Sequence, residues 1–203
     1  MIIFLLVVVC YVAAQMLADI SSLKIISIAG LSMDAGTLIY PITFTLRDLV
    51  HKVAGIKVAR ILILVVAGIN LFMAGFFWLV AYLPADLSVG PQEEFAAVLS
   101  PVWRIVVASI LAEVLAELID TEVYQLWVNK FKNKLQWGRV LVSNGVSVPL
   151  DSLVFVVVAF AGTMSSAILF SIFLSNVLVK GISTLISIPL IYIGKQDEQN
   201  IVW

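Results

Sequence analysis

The chain has 203 residues, 62% of them hydrophobic and 12% charged, and a mean hydropathy of +1.12. Soluble domains run at roughly 45–50% apolar and about 25% charged, so a water-soluble globular protein is excluded and an integral membrane protein implied. A formal net charge of −1 says little about partners, because what matters is where the 12 Lys and Arg fall; no nucleic-acid partner is expected, and the single Cys10 cannot form an internal disulfide and implies no redox or metal chemistry.

In chain order, the first apolar run, 2–17, ends near Ala13-Ala14-Gln15, which has the look of a cleavage site. No Lys or Arg precedes it, however, so it lacks the basic start of a signal peptide and is expected to stay as a helix. A span needs about 20 mostly apolar residues, and the sequence supplies six candidates: 2–18, 34–50, 58–83, 102–129, 144–161 and 164–193. The expected fold is an all-α membrane protein, a six-transmembrane-helix bundle forming one domain over residues 1–203. Helices satisfy their own backbone groups, which lipid cannot do.

Pro41 lies inside the second span and is expected to kink it. Residues 21–33 read as a loop, and 95–99, after Gln92-Glu93-Glu94, as a short interfacial helix. Arg47, Lys52, Lys57 and Arg60 gather between spans two and three, and Lys130, Lys132, Lys134 and Arg139 between spans four and five. The positive-inside rule places both loops in the cytoplasm, so both termini are expected inside (N-in, C-in).

The fourth span carries Ser109, Glu113, Glu117, Asp120 and Tyr124 at steps of four, four, three and four, one helical face. The sixth carries Asn176, Lys180, Ser183 and Ser187 in the same way, and the fifth adds Asp151, with Asn144 at its start. A charge at the bilayer centre costs about 2.5–3.5 kcal/mol, so such residues face a polar interior and mark a transport or proton path. At about 1.5 Å of rise per residue, Glu117 and Lys180 both lie roughly 23 Å from one end of their spans, and Asp120 and Asp151 fall in the same layer. Lys180 is expected to pair with Glu117 or Asp120. Unpaired carboxylates would accept hydrogen bonds from a ligand rich in N–H groups, with Tyr40, Phe44, Trp78 and Trp103 as candidate flat walls.

Tyr40-Pro41-Ile42-Thr43-Phe44, then Asp48, Gly55 and Ala59-Arg60, resembles a block of the queuosine precursor transporters, the vitamin uptake transporter (VUT) family. Ala108-Ser109 with Glu113 and Asp120, then Arg139, Ser143, Pro149-Leu150-Asp151-Ser152, Phe155 and Phe160-Ala161-Gly162, resembles the later blocks. The resemblance implies a multi-pass importer of the inner (cytoplasmic) membrane for 7-deazaguanines such as preQ0, preQ1 or queuine. Phe44, Asp48, Asp120 and Asp151 carry over by motif position. Between Asp48 and Gly55 the sequence departs from the family's acid-and-aromatic pattern, and His51 sits at a helix end.

The expected substrate-binding set is therefore Tyr40, Phe44, Asp48, Glu113, Glu117, Asp120, Asn144, Asp151, Asn176 and Lys180, around a small purine-like molecule, with no cofactor and no metal. An alternative is the substrate-binding subunit of an energy-coupling-factor vitamin transporter that depends on partner ATPases, with Ala14 and Ala18 as a small-residue docking face. Whether coupling subunits or a homo-oligomer are involved stays open. No G-x-x-x-x-G-K-[ST] phosphate loop is present, so the chain is not itself an ATPase. An enzyme is not expected, because one histidine at a membrane edge leaves no buried Ser–His pair and there is no G-x-S-x-G elbow.

Overall fold

The computed structural model describes residues 2–131 and 136–191, so Lys132 and Lys134 lie outside it; within its helices several side chains also fall outside the described set, among them Phe44, Asp48, His51, Lys52, Glu117, Asp120, Tyr124, Lys130, Arg139 and Ser187. The elements are α1 (Ile2–Ser21), β1 (Ile25–Ile28), β2 (Leu31–Asp34), a 3₁₀ turn (Ala35–Leu38), α2 (Tyr40–Tyr82), α3 (Glu93–Leu99), α4 (Val102–Phe131), α5 (Gln136–Phe160) and α6 (Ser166–Ile191). Five stretches among the described residues are long and apolar enough to cross a bilayer: Phe4–Ser21, Lys57–Tyr82, Glu93–Ala116, Leu141–Phe160 and Ser166–Ile186.

The largest departure from the sequence reading is at 21–50. The segment expected as a loop is an antiparallel hairpin, with Ile25 opposite Asp34 and Ile28 opposite Leu31. Its two-residue turn, Ala29-Gly30, has positive φ at both positions (51° and 81°), the geometry that matches the strands' right-handed twist. An isolated two-stranded hairpin is marginal, and this one is held by α6. The Ser32 amide donates to Ser171 Oγ (2.7 Å), and Ser175 Oγ donates to the Ser32 carbonyl (2.9 Å). Serines thereby replace the water that a lone strand edge would need, as non-helical backbone at membrane depth requires.

The next helix starts at Tyr40, six residues later than expected. Pro41 sits in its first turn, where the missing N–H has no intrahelical partner to lose, so it starts the helix and introduces no kink. The break comes instead at Gly55, whose φ of 83° and ψ of 168° lie in a region essentially reserved for glycine. There the chain doubles back. Arg47 Nη1 comes within 3.9 Å of Glu113 Oε1, and Glu113 shares a wall with Ile63, Val66 and Ala67. An unbroken helix would put residues 47 and 66 about 28 Å apart.

Helix packing follows from small residues, which let backbones approach where lipid removes the hydrophobic drive. Ala108 and Ala112, one turn apart on α4, are fully buried against Phe155, Val156, Ala159 and Phe160 of α5 and Ile172 of α6. A second cluster joins Tyr11 to Val50, Ala59, Leu62 and Val66, and a third joins Met73 and Ala74 to Val102 and Val106.

The α5–α6 connection is a short turn between Phe160 and Ser166, with Gly162 at φ 80°. Arg104 Nη2 donates to the carbonyls of Val158 and Ala161, placing a cation on the electronegative end of α5. α3 is the short helix expected after Gln92, beginning at Glu93 where 95 was expected, and it has Glu93 and Glu94 in its first turn. In the loop before it, Asp86 accepts from the Ser88 hydroxyl and amide, which holds its carboxyl below the ordinary carboxylate value and keeps it charged at neutral pH.

Candidate functional site: a polar centre around Tyr40

The start of α2 brings Tyr40 to the middle of the bundle because the hairpin and 3₁₀ turn carry the chain inward before the helix begins. Asp34 builds that entry. Its carboxylate caps the 3₁₀ turn by accepting from the Thr37 amide (3.1 Å) and hydroxyl (2.8 Å), and it also accepts from Ser22 Oγ (2.9 Å). Gly36 is the residue that permits the fit. A Cβ there would lie 2.0 Å from Ser22 Oγ and 2.4 Å from the Ala18 carbonyl oxygen.

Thr37 Oγ1 lies 2.5 Å from Asn176 Oδ1 on α6, while the Asn176 Nδ2 atom, fully buried, has no hydrogen-bond partner. A hydroxyl has one proton, and Asp34 already takes it. Rotating the Asn176 amide by 180° gives its NH₂ to Thr37 and leaves its carbonyl as the unpartnered end, so in either orientation one amide atom faces the interior unused.

One turn further along α6, Lys180 Nζ pairs with Asp151 Oδ2 of α5 and lies 4.5 Å from the centre of the Tyr40 ring. Asp151 stands 9 residues from the α5–α6 turn end of its helix and Lys180 14, depths of about 14 and 21 Å. Side chains lean toward the N-terminus of their helix. Because α5 and α6 run in opposite directions, the two side chains lean toward each other and close the difference. The Lys180 side chain is 6% exposed and that of Asp151 18%, so the pair is dry on one side only. Next to Asp151, the fully buried Ser152 hydroxyl has no partner.

A small cleft, with room for little more than one water-sized particle, lies between α1, α2 and α4 and is lined among others by Tyr11, Gln15, Asp19, Asn70, Ser109 and Glu113. Asp19 Oδ2 accepts from Asn70 Nδ2 at 2.6 Å.

Of the expected site residues, Tyr40, Asp151, Asn176 and Lys180 come together, and Glu113 lines the adjoining cleft. Asn144 is half-buried, two turns from Asp151 along α5. The side chains of Phe44, Asp48, Glu117 and Asp120 lie outside the described residues. The partner of Lys180 is Asp151, where Glu117 or Asp120 had been expected. Arg47, grouped by sequence with the basic residues between spans two and three, comes within 3.9 Å of Glu113 on α4. Trp78 and Trp103, suggested as pocket walls, are exposed at helix ends, Trp78 against Tyr82 with ring centres 4.7 Å apart, as interfacial aromatics are. Ala14 and Ala18 are buried within the chain, where Ala18 meets Gly36, so they offer no face to a partner helix. Asp19, Asp34, Thr37 and Asn70 were not anticipated. The signal for Asn70 was a carboxamide in the middle of an apolar span.

The family model described as "Putative vitamin uptake transporter" matches residues 34–194, a stretch that includes Tyr40, Glu113, Asp151, Asn176 and Lys180. The chain belongs to this family. A curated relative named "Probable queuosine precursor transporter", from Bacillus subtilis (strain 168), is 26% identical over 199 residues, covering 92% of this chain and 82% of the relative. No solved structure matches. The transporter family, the apolar helices and the buried charges agree: this is a multi-pass membrane transporter.

Proposed function

We propose that the protein imports 7-deazaguanine precursors of queuosine across the cytoplasmic membrane, binding them at the layer formed by Tyr40, Asp151, Asn176 and Lys180. The observation that carries this reading is the combination, at one depth, of a carboxylate–ammonium pair, a buried amide with an unused atom and an aromatic ring. A guanine-like base has adjacent N–H donors suited to Asp151, a carbonyl beside them suited to Lys180 and the Asn176 amide, and a flat face suited to Tyr40. The relative's name supports the substrate class independently of this geometry. Phe44, Asp48, Glu117, Asp120 and Asn144 complete the site in this reading, on the strength of their motif positions and helical spacing.

In the same reading the bundle crosses the membrane six times with both termini inside. The second crossing is composite, made of the hairpin, the 3₁₀ turn and the helix from Tyr40 to Ala54. Lys57 and Arg60, exposed at the Gly55 reversal, mark that end as cytoplasmic.

The test is a binding screen of purified protein against preQ0, preQ1, queuine and guanine. Wild type should bind one or more deazaguanines, and Asp151→Asn should weaken that binding roughly 10- to 150-fold, the equivalent of a charged hydrogen bond worth about 1.5–3 kcal/mol. Thermal melting of the same samples separates lost binding from lost folding. Binding that is unchanged in a well-folded Asp151→Asn variant removes the layer from the substrate site.

A further inference from the structure

We infer that the cleft between α1, α2 and α4 is a sodium site, separate from the layer assigned to substrate. Asp19 is 5% exposed, and its one hydrogen-bond partner is the neutral Asn70 amide. No cation pairs with it among the described residues. A buried carboxylate without a counter-charge is costly by several kcal/mol. Lys180 cannot supply it, because that ammonium is held by Asp151 across the bundle. Arg47 is directed to Glu113 at 3.9 Å.

The second observation is independent of charge. Asn70 lines the cleft and is 7% exposed, its NH₂ is committed to Asp19, and its buried Oδ1 has no hydrogen-bond partner. A carbonyl oxygen left bare beside a carboxylate asks for a cation or a donor between them. Gln15, Ser109 and Glu113 add side-chain oxygens from α1 and α4 to the same wall. The set is all hard oxygen. Among the described residues no group of three or more His, Cys, Asp or Glu stands together, which argues against a transition metal. With Arg47 within 3.9 Å of Glu113, an ionised Asp19 is the carboxylate of this wall that has no cation among the described residues, and one positive charge would match it. A monovalent hard cation balances it, joining three helices at one point. Sodium bound there would tie α1 and the Lys57–Tyr82 part of α2 to α4 and give import an ion gradient to draw on.

Sodium binding is measured on purified protein without substrate, so its outcome is independent of the substrate assignment. Replacing choline chloride with sodium chloride at constant ionic strength should raise the melting temperature by on the order of 5–10 °C once sodium is about 100-fold above its dissociation constant. Potassium chloride should do markedly less. Asp19→Asn, which keeps shape and removes the charge, should abolish the sodium-specific rise. Radioactive sodium should bind wild type directly, which decides the matter even where Asp19→Asn fails to fold. Equal stabilisation by sodium, potassium and choline, a sodium response retained in Asp19→Asn, or stability that follows pH and ignores sodium would each overturn the assignment, the last by giving Asp19 to a proton.

Discussion

The pairing of Lys180 with Asp151 sets what single substitutions at the polar centre should do. Removing one partner of a buried pair strands the other and typically costs about 3–5 kcal/mol. Here the loss should fall at or below that range, because the Asp151 side chain keeps 18% exposure. Lys180→Met should therefore lower the melting temperature, and Lys180→Met with Asp151→Asn should recover part of the loss. A double-mutant cycle on detergent-solubilised protein measures the coupling, and simple additivity would mean that the two side chains do not stabilise each other. At this scale the sequence showed which residues were out of place in lipid, since spacing alone puts Glu113, Asn176 and Lys180 on inward faces. It did not show who meets whom. Asp151 was one of three acids at a suitable depth, and the choice depends on opposite helix directions making two side chains lean together. Asp19 and Asn70 are 51 residues apart, and no local pattern links them.

At the scale of elements, hydropathy located three of the long helices to within a few residues, 58–83 expected against Lys57–Tyr82, 102–129 against Val102–Phe131 and 164–193 against Ser166–Ile191, while α5 begins at Gln136, eight residues before the expected 144. It failed at the hairpin because Ile25–Ile28 and Leu31–Asp34 are only four residues each, Ala-Gly is a weak turn signal, and the partners that stabilise the strands are serines on α6, about 140 positions away. The joint between hairpin and helix depends on Gly36. Gly36→Ala places a methyl carbon against the Ala18 backbone carbonyl, which is fixed inside α1 and cannot move aside as a flexible side chain could. The substitution should cost about 1–3 kcal/mol, as overpacking of a tight site does. It should also weaken deazaguanine binding, because Thr37 and Tyr40 are positioned through that turn. A Gly36→Ala protein with wild-type melting temperature and wild-type binding would show that the turn can shift without cost and that Asp34 does not fix the position of Tyr40.

For the whole molecule, the path of residues 22–54, proposed above as a composite second crossing, decides the side on which everything after it lies. With the N-terminus inside, α1 leads out. If residues 22–54 return to the cytoplasm, Lys57 is inside, the Lys57–Tyr82 helix leads out again, and the Asp86 loop faces outward with Asp86, Glu93 and Glu94 and no base, as the charge rule prefers. If the hairpin and short helix only dip in and come back, every later loop changes sides. Single cysteines at positions 57, 86 and 132 in a Cys10→Ala background distinguish the two paths, and Asp86, charged and exposed in its turn, is a site where a substitution leaves the bundle intact. A membrane-impermeant maleimide applied to intact cells should label position 86, while positions 57 and 132 should react only after permeabilisation. The reverse pattern, 57 and 132 labelled from outside and 86 protected, would mean five crossings. Asp34, Thr37 and Tyr40 would then sit on a re-entrant loop entered and left from one face, and the substrate layer would need a different route to the cytoplasm.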